Sequence, residues 1–327
     1  MKVVYMDQKD EDLLECLRGP LDEGIDIVNI PPDNEEELIA RAEEFHAVIG
    51  ARIPREFLDK AVNLKYVIIP FAGVPTQDKE VLRDYPDLIV VNSHFNHVYV
   101  AEHAWALLLA SAKRLCPIHE KMKDGNWSPR YDHWMGLGLE GKCLLVLGYG
   151  AAGKEIARIG KAFGMTVKAV NRSGGDAPEI DHLGTNDELH ELLPEADFIV
   201  VILPLTDETE GFLGTKEFQS MKVGVHLVNV GRGPVIDEDA FYDALDSGKL
   251  GGAAIDTWWI YPPDEESRTN TFPSKYPLDK FDNLVFSPHR STHVEGREKK
   301  RMEDLADILN DLNNGRERNR VSLDRGY

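Results

Sequence analysis

The segment Gly148-Tyr149-Gly150-Ala151-Ala152-Gly153 sets glycines at the spacing G-x-G-x-x-G, directly after the apolar run Lys142–Leu147. Lys154–Phe163 then reads as a helix, and Gly164 stands where a helix stops. In that context Gly148 permits a tight turn, Gly150 lets backbone approach a pyrophosphate, and Gly153 lets helix and strand pack closely. The helix N-terminus, with the backbone of Tyr149, Ala151 and Ala152 around it, offers free N–H groups and partial positive charge to phosphates. A lone G-x-G-x-x-G is often only a glycine-rich loop. Here strand, turn, helix and a second strand candidate, Met165–Val170, follow in order, so dinucleotide binding is the stronger reading.

The end of that second strand discriminates between cofactors. An acidic residue there binds the ribose hydroxyls of NAD, but this chain has Asn171-Arg172-Ser173, beginning eighteen residues after Gly153. Arg and Ser can bind a 2′-phosphate that a carboxylate would repel, so the expected cofactor is NADP. If Arg172 only stacks on the adenine, NAD is the alternative.

The elements that must position these residues alternate along the chain. Short β-rich runs lie at Lys2–Met6, Ile25–Ile30, Ala47–Gly50, Lys65–Ile69 and Leu88–Asn92, with polar segments of helical length such as Asp33–Phe45 between them. Val98–Cys116 reads as one long apolar helix buried between layers, and Gly125–Gly141 as a connection. A second series follows at Lys142–Leu147, Met165–Val170, Asp197–Leu203, Val225–Val230, Gly252–Asp256 and Asn283–Ser287. It ends in a long charged helix, Thr292–Asn314, suited to packing back on the first domain. Such alternation implies an α/β fold with parallel sheets covered by helices.

Composition narrows the partners. The 327 residues are 42% hydrophobic and 29% charged, with 57 acidic against 37 basic residues and a formal net charge of −20. That profile suits a soluble globular protein and makes nucleic acid and membrane poor partners, while a small anionic ligand needs a locally positive site. No uncharged apolar run reaches 18 residues, and the N-terminus reads as a strand rather than a signal peptide. Cys16, Cys116 and Cys143 are widely spaced, which suits a reduced compartment; the expected location is the cytoplasm. His94, His97 and His103 cluster without Cys or carboxylate company, and His289 and His293 lack the Glu of H-E-x-x-H, so no metal is expected.

Further segments complete the pattern: Val100-Ala101-Glu102-His103-Ala104; Pro204-Leu205-Thr206 with Thr209; Asn229-Val230-Gly231-Arg232-Gly233 with Val235-Ile236-Asp237-Glu238; Gly252-Ala253-Ala254-Ile255-Asp256; and Ser287-Pro288-His289. With the glycine turn these resemble the D-isomer-specific 2-hydroxyacid dehydrogenase family, in order and over nearly the whole chain. The resemblance implies two doubly wound parallel-sheet domains, Rossmann-like and flavodoxin-like, the cofactor domain inserted into the substrate domain. It assigns 1–98 plus 292–327 to substrate and 99–291 to NAD(P), and implies a cleft active site and a homodimer with the long helix near its contact. Leu203, Pro204, Thr209, Val230, Gly231 and Asp256 become cofactor-binding candidates by the same resemblance, beside the glycine turn and Asn171–Ser173.

Reducing a 2-oxo acid needs a cation for the carboxylate and ketone, and an acid for the developing alkoxide. Arg232, between two glycines at a strand end, is placed as that cation; its plainer reading is a surface Arg on a loop. His289 resembles the family's general acid/base, against the plainer reading of a structural His. The turn Phe71-Ala72-Gly73-Val74 matches the loop whose backbone N–H groups receive the substrate carboxylate, and Asn96 lies in the connection toward the cofactor domain.

Two departures stand out. The family pattern has a Glu five residues after the Asp of G-A-A-x-D, raising the pKa of the catalytic His; counting from Asp256 gives Tyr261. Tyr261 is a substrate-binding candidate beside Arg232, and it could hydrogen-bond His289 without stabilising its charged form as strongly. Three arrangements stay open: an unpaired His289 with a lower pH optimum for reduction, a substitute among Asp264, Glu265 and Glu266, or a substrate needing no proton transfer. Ala151-Ala152 also stand where many members have an Arg on the pyrophosphate. The leading expectation is an NADP-preferring 2-oxoacid reductase acting on something like glyoxylate or hydroxypyruvate. The competitor is a non-catalytic NAD(P)-binding sensor, and a lyase or epimerase with a tightly held nicotinamide has no dedicated motif.

Overall fold

The computed structural model describes residues 1–133 and 135–323. Two compact units divide the chain: Met1–Asn96 with His293–Tyr327, and His97–Thr292 inserted between those segments. Residues 324–327, within the stretch assigned above to the substrate domain, lie outside the described residues, as does Trp134 of the Gly125–Gly141 connection.

The first unit opens with strictly alternating elements: β1 (Lys2–Tyr5), α1 (Glu11–Arg18), β2 (Asp26–Asn29), α2 (Glu35–Ala40), β3 (Ala47–Ile49), α3 (Arg55–Lys60), β4 (Tyr66–Ile69), α4 (Thr76–Leu82) and β5 (Ile89–Asn92). Its strands pair in parallel in the order β2-β1-β3-β4-β5. Successive side chains of β1 serve opposite layers. Val3 and Tyr5 pack with Leu14 and Leu17 of α1, while Val4 packs with Leu38, Phe57 and Leu58 of α2 and α3. Burial on both faces explains why these strands read as apolar runs rather than as alternation.

The second unit comprises α5 (His97–Ala112), α6 (Leu115–Lys123), β6 (Cys143–Leu147), α7 (Ala151–Ala162), β7 (Thr166–Val170), β8 (His182–Gly184), α8 (Leu189–Leu192), β9 (Phe198–Val201), α9 (Thr215–Ser220), β10 (Val225–Asn229), α10 (Glu238–Asp246), β11 (Leu250–Ile255) and β12 (Leu284–Phe286). Its sheet is parallel throughout, ordered β12-β11-β10-β9-β6-β7-β8. From β8 to β11 this is the Rossmann order, with β12 added at the edge. Leu145 and Leu147 face one layer, and Leu144 and Val146 the other. α5 belongs to the second layer, where the Trp105 indole donates to Ile156 O of α7 (3.1 Å) and stacks on Phe163.

The last helix, α11 (Arg297–Asn313), returns to the first unit. Met302, Leu305, Ala306, Ile308, Leu309 and Leu312 cover the layer that holds Val3, Tyr5 and α1. It starts later than the Thr292 read from sequence, because Gly296 turns left-handed at φ 75° just before it. The single helix expected over Val98–Cys116 is instead two. Arg114 is left-handed (φ 54°), and the Ala112 carbonyl accepts from Leu137 N instead of extending the helix. Pro117, inside the first turn of α6, could not have continued a helix through residue 113 without clash. Strand β8, three residues with no readable period, is absent from the elements expected above. Among the described residues no helix is long and apolar enough to cross a membrane, and no group of His, Cys, Asp and Glu could hold a metal.

Candidate active site

Seven connections leave the C-terminal edge of the seven-stranded sheet, and all but the one after β8 carry a residue singled out from the sequence. The turn after β6 is built as its glycines require. Gly148 has φ 108°, and a Cβ there would lie 2.8 Å from Ile202 O. A Cβ on Gly153 would lie 2.0 Å from Gly148 O, whereas one on Gly150 would meet nothing within 4 Å. Gly148 and Gly153 therefore close the turn, and Gly150 keeps one side of it open. No side chain caps α7, so the amides of Ala151, Ala152 and Gly153 at its start have no intrahelical acceptor. Open space above uncapped N–H groups fits a dinucleotide pyrophosphate. Tyr149 contributes only its backbone to this turn, since its ring is buried and its hydroxyl donates to Glu179 (2.7 Å). Burial first, then that hydrogen bond, pushes its phenol pKa up.

After β7, Asn171 Oδ1 accepts from the N–H groups of Ser173 (3.0 Å) and Gly174 (2.6 Å), which shapes the turn. Arg172 pairs with Glu208 at 3.0 Å, a carboxylate contributed by the connection after β9. That connection folds around Thr209, whose hydroxyl donates to Pro204 O (2.6 Å) and accepts from Thr206 N (2.8 Å). Leu203 lines its start, half-buried.

After β10 the chain turns tightly. Buried Asn229 accepts from Gly231 N (3.0 Å) and donates to Arg232 O (3.0 Å), while Val230 N donates to Val201 O. Cβ atoms on the flanking glycines would lie 2.6 Å from Leu203 O at Gly231 and 2.2 Å from Trp258 O at Gly233. The backbone around Arg232 is thus wedged between two neighbours, and its side chain is left exposed.

Asp256, fully buried at the end of β11, organises the connection after β12. It accepts from Ser287 Oγ and from the N–H groups of Arg290 (3.0 Å) and Ser291 (3.2 Å), and His103 Nε2 of α5 lies 3.4 Å away. Burial opposes its ionisation, but these hydrogen bonds and His103 outweigh it and hold the carboxyl below its ordinary pKa. His103 Nε2 also meets Ser287 Oγ at 2.9 Å. His289, between the anchored residues, adopts φ 53°, a left-handed conformation uncommon outside glycine.

Tyr261, at the position of the absent Glu, is itself a partner of His289. Its Oη lies 2.9 Å from His289 Nδ1 and accepts from Trp258 N (3.2 Å). Asp264 instead caps Ser267 N (2.9 Å), and Glu265 pairs with Arg268 (2.7 Å). Trp258 and Trp259 are held inside: their indoles donate to Ser287 O (2.7 Å) and Ile236 O (2.8 Å).

In the first unit, Ala72 and Gly73 follow β4 on an accessible turn whose Ala72 carbonyl accepts from Asn92 Nδ2, while Val74 turns its side chain into the core. Asn96 is half-buried at the boundary before α5. Sequence reasoning passed over Ser287 and His103 as parts of the site. The only signal was that His103 and Ser287 each lay inside a segment quoted for another reason. In the first unit Arg52 is left-handed (φ 56°) and exposed, with its N–H and that of Ile53 bound by buried Asp78 (2.8 and 3.2 Å).

Fold and strand ends together define a two-unit, doubly wound protein with a phosphate-binding turn at the switch of one sheet. Residues 105–291 match the family described as D-isomer specific 2-hydroxyacid dehydrogenase, NAD binding domain. The chain belongs to the D-isomer specific 2-hydroxyacid dehydrogenase family. It is 31% identical over 264 residues to glyoxylate/hydroxypyruvate reductase B of Yersinia pestis (strain Pestoides F), covering 80% of this chain and 78% of that one. It is 32% identical over 295 residues to D-3-phosphoglycerate dehydrogenase of Archaeoglobus fulgidus, covering 88% of this chain and 53% of that one. The chain thus spans about half the length of that relative. Among solved structures, the TT0316 protein from Thermus thermophilus superposes with a TM-score of 0.71 at 29% identity, covering 98% of this chain and all of the other.

Proposed function

We infer that this protein is an NADP-preferring oxidoreductase that reduces small 2-oxo acids, of the size of glyoxylate or hydroxypyruvate, to 2-hydroxy acids. The observation that carries the reading is the gathering of Arg232, His289 and the uncapped glycine turn along one C-terminal sheet edge, where doubly wound proteins bind ligands. When bound, the nicotinamide supplies the hydride. Arg232 holds the substrate carboxylate and polarises the ketone, and His289 gives the proton that completes the alcohol. Ala72, Gly73, Val74 and Asn96 are the substrate-binding candidates of the first unit. The sensor reading drew its support from the missing Glu; the Tyr261 contact gives His289 a partner and weakens that support.

For the cofactor, the pair Arg172–Glu208 is open to solvent, with side chains 36% and 69% exposed. Such pairs contribute at most about 1 kcal/mol, so Arg172 is readily diverted to a 2′-phosphate, where its hydrogen bonds are charge-assisted. The test is kcat/KM for NADPH and NADH over a panel of 2-oxo acids. We expect NADPH to lead by about tenfold or more; equal or better use of NADH removes the preference, and inertness with both favours the sensor.

We also assign a homodimer. Leu115, Met122, Trp127, Tyr131 and Met135 form a run of exposed large apolar side chains within one stretch of the second unit, of the kind that marks a protein interface. Light scattering should give twice the 36.7 kDa chain mass, and a Trp127→Glu variant should shift toward monomer. A monomeric wild type would exclude the assignment.

A further inference from the structure

We propose that Tyr261 stands in for the absent carboxylate as the proton source behind His289, so that reduction proceeds from a neutral imidazole. The proposal rests on the reductase reading and specifies its proton path. Three contacts carry it. Tyr261 Oη accepts the Trp258 N–H and lies 2.9 Å from His289 Nδ1, the contact in which the proposal makes its O–H the donor. A neutral imidazole has one donor and one acceptor nitrogen, so an accepting Nδ1 puts the ring proton on Nε2. Trp258 fixes both partners at once: its backbone N–H holds the phenol, and its buried indole holds the Ser287 carbonyl two residues before His289 while stacking on Phe286.

Among the described residues of this unit, Arg232 and Asp256 act on the phenol, and His103 and the Arg290 N–H lie against Asp256. Asp256 is committed to Ser287, Arg290 N and Ser291 N, so it positions the loop without touching the imidazole by any of those bonds. Burial is the largest influence on the phenol and raises its pKa; Asp256 adds to this, and the Trp258 N–H and Arg232 oppose it. The phenol therefore keeps its proton through the neutral range and can donate it. As the alkoxide forms, the Nε2 proton passes to its oxygen and the Tyr261 proton passes to Nδ1. The ring stays neutral, and a phenolate remains, stabilised by the Trp258 N–H and the Arg232 charge. A proton from solvent then returns to Nε2 and the Nδ1 proton goes back to the phenolate, which restores the Nε2–H tautomer before the next turnover. Tyr261 thus acts through His289 rather than on the substrate.

The consequence is a pH profile without the imidazolium requirement that a His–carboxylate pair imposes. Wild-type kcat for reduction should be nearly level between about pH 6 and 8. In Tyr261→Phe, protonation must come from the imidazolium, so kcat should fall by about tenfold or more from pH 6 to 8 while KM is little changed. Tyr261→Glu should move that limb upward by about one unit or more. A merely structural Tyr261 would lower kcat evenly at all pH values. A wild-type limb near the ordinary His range that Tyr261→Phe leaves in place overturns the proposal. Nitrogen-15 NMR of His289 gives an independent reading that needs no turnover. The wild type should hold the Nε2–H tautomer, and Tyr261→Phe should lose that fixed preference; an Nδ1–H tautomer in the wild type also overturns it. If no 2-oxo acid is reduced but the tautomer is as stated, the reductase reading fails while the Tyr261–His289 arrangement stands.

Discussion

Arg232 combines an exposed guanidinium with a backbone that has no room to move, since Asn229 bonds to both sides of it and both flanking residues lack a Cβ. Groups held in this way stabilise charge developing in a transition state without reorganising for it. Arg232→Ala should therefore lower kcat/KM for 2-oxo acid reduction by about a thousandfold, while cofactor affinity changes by less than about threefold. Steady-state kinetics with a fluorescence titration of NADPH check both halves, and retained turnover would remove Arg232 from the chemistry. Arg232 and His289 could be read from the sequence because each stands just past a strand, beside Gly or Pro, where side chains meet solvent. The pair that anchors the His289 loop beside Asp256 could not. Ser287 and His103 touch across 184 positions, and only the packing of α5 against the sheet brings them together.

At the scale of elements, His226 shows how a buried strand makes stability depend on pH. It lies on β10, 6% exposed, with Nδ1 2.8 Å from Ser111 Oγ of α5. Burial first, then the nearby Arg114 charge, lowers its pKa from 6.5 to about 4. A group whose folded pKa lies below its unfolded value leaves stability whole above the unfolded value, then removes it as pH falls through the window. The fold should therefore lose up to about 3 kcal/mol between about pH 6.5 and 4 through this residue, at about 1.36 kcal/mol per unit. Urea midpoints measured across that range should decline, and His226→Gln should flatten part of the decline. An identical slope in the variant would assign it elsewhere. The strands themselves were legible because burial on both faces makes them apolar runs bounded by polar turns. β8 escaped because three residues at a sheet edge carry no period, and the break between α5 and α6 escaped because the apolar run of Val98–Cys116 outweighed the one residue, Pro117, that marked it.

For the molecule as a whole, an excess of acidic residues and an anion-binding turn are compatible because the turn presents backbone amides rather than side-chain cations. The surrounding field still opposes an anionic ligand, and salt screens that opposition over about 10 Å at 0.1 M. The interruption of the first unit by the second has a different consequence, in the order in which a ribosome releases the chain. Strands β1 to β5 emerge first, yet Val3, Tyr5, Ile49 and Ile68 are sealed by α11, which follows some two hundred residues later. Throughout synthesis of the second unit, that face of the nascent first sheet has only α1 to cover it. The helix that completes the first unit is made only after the whole of the second.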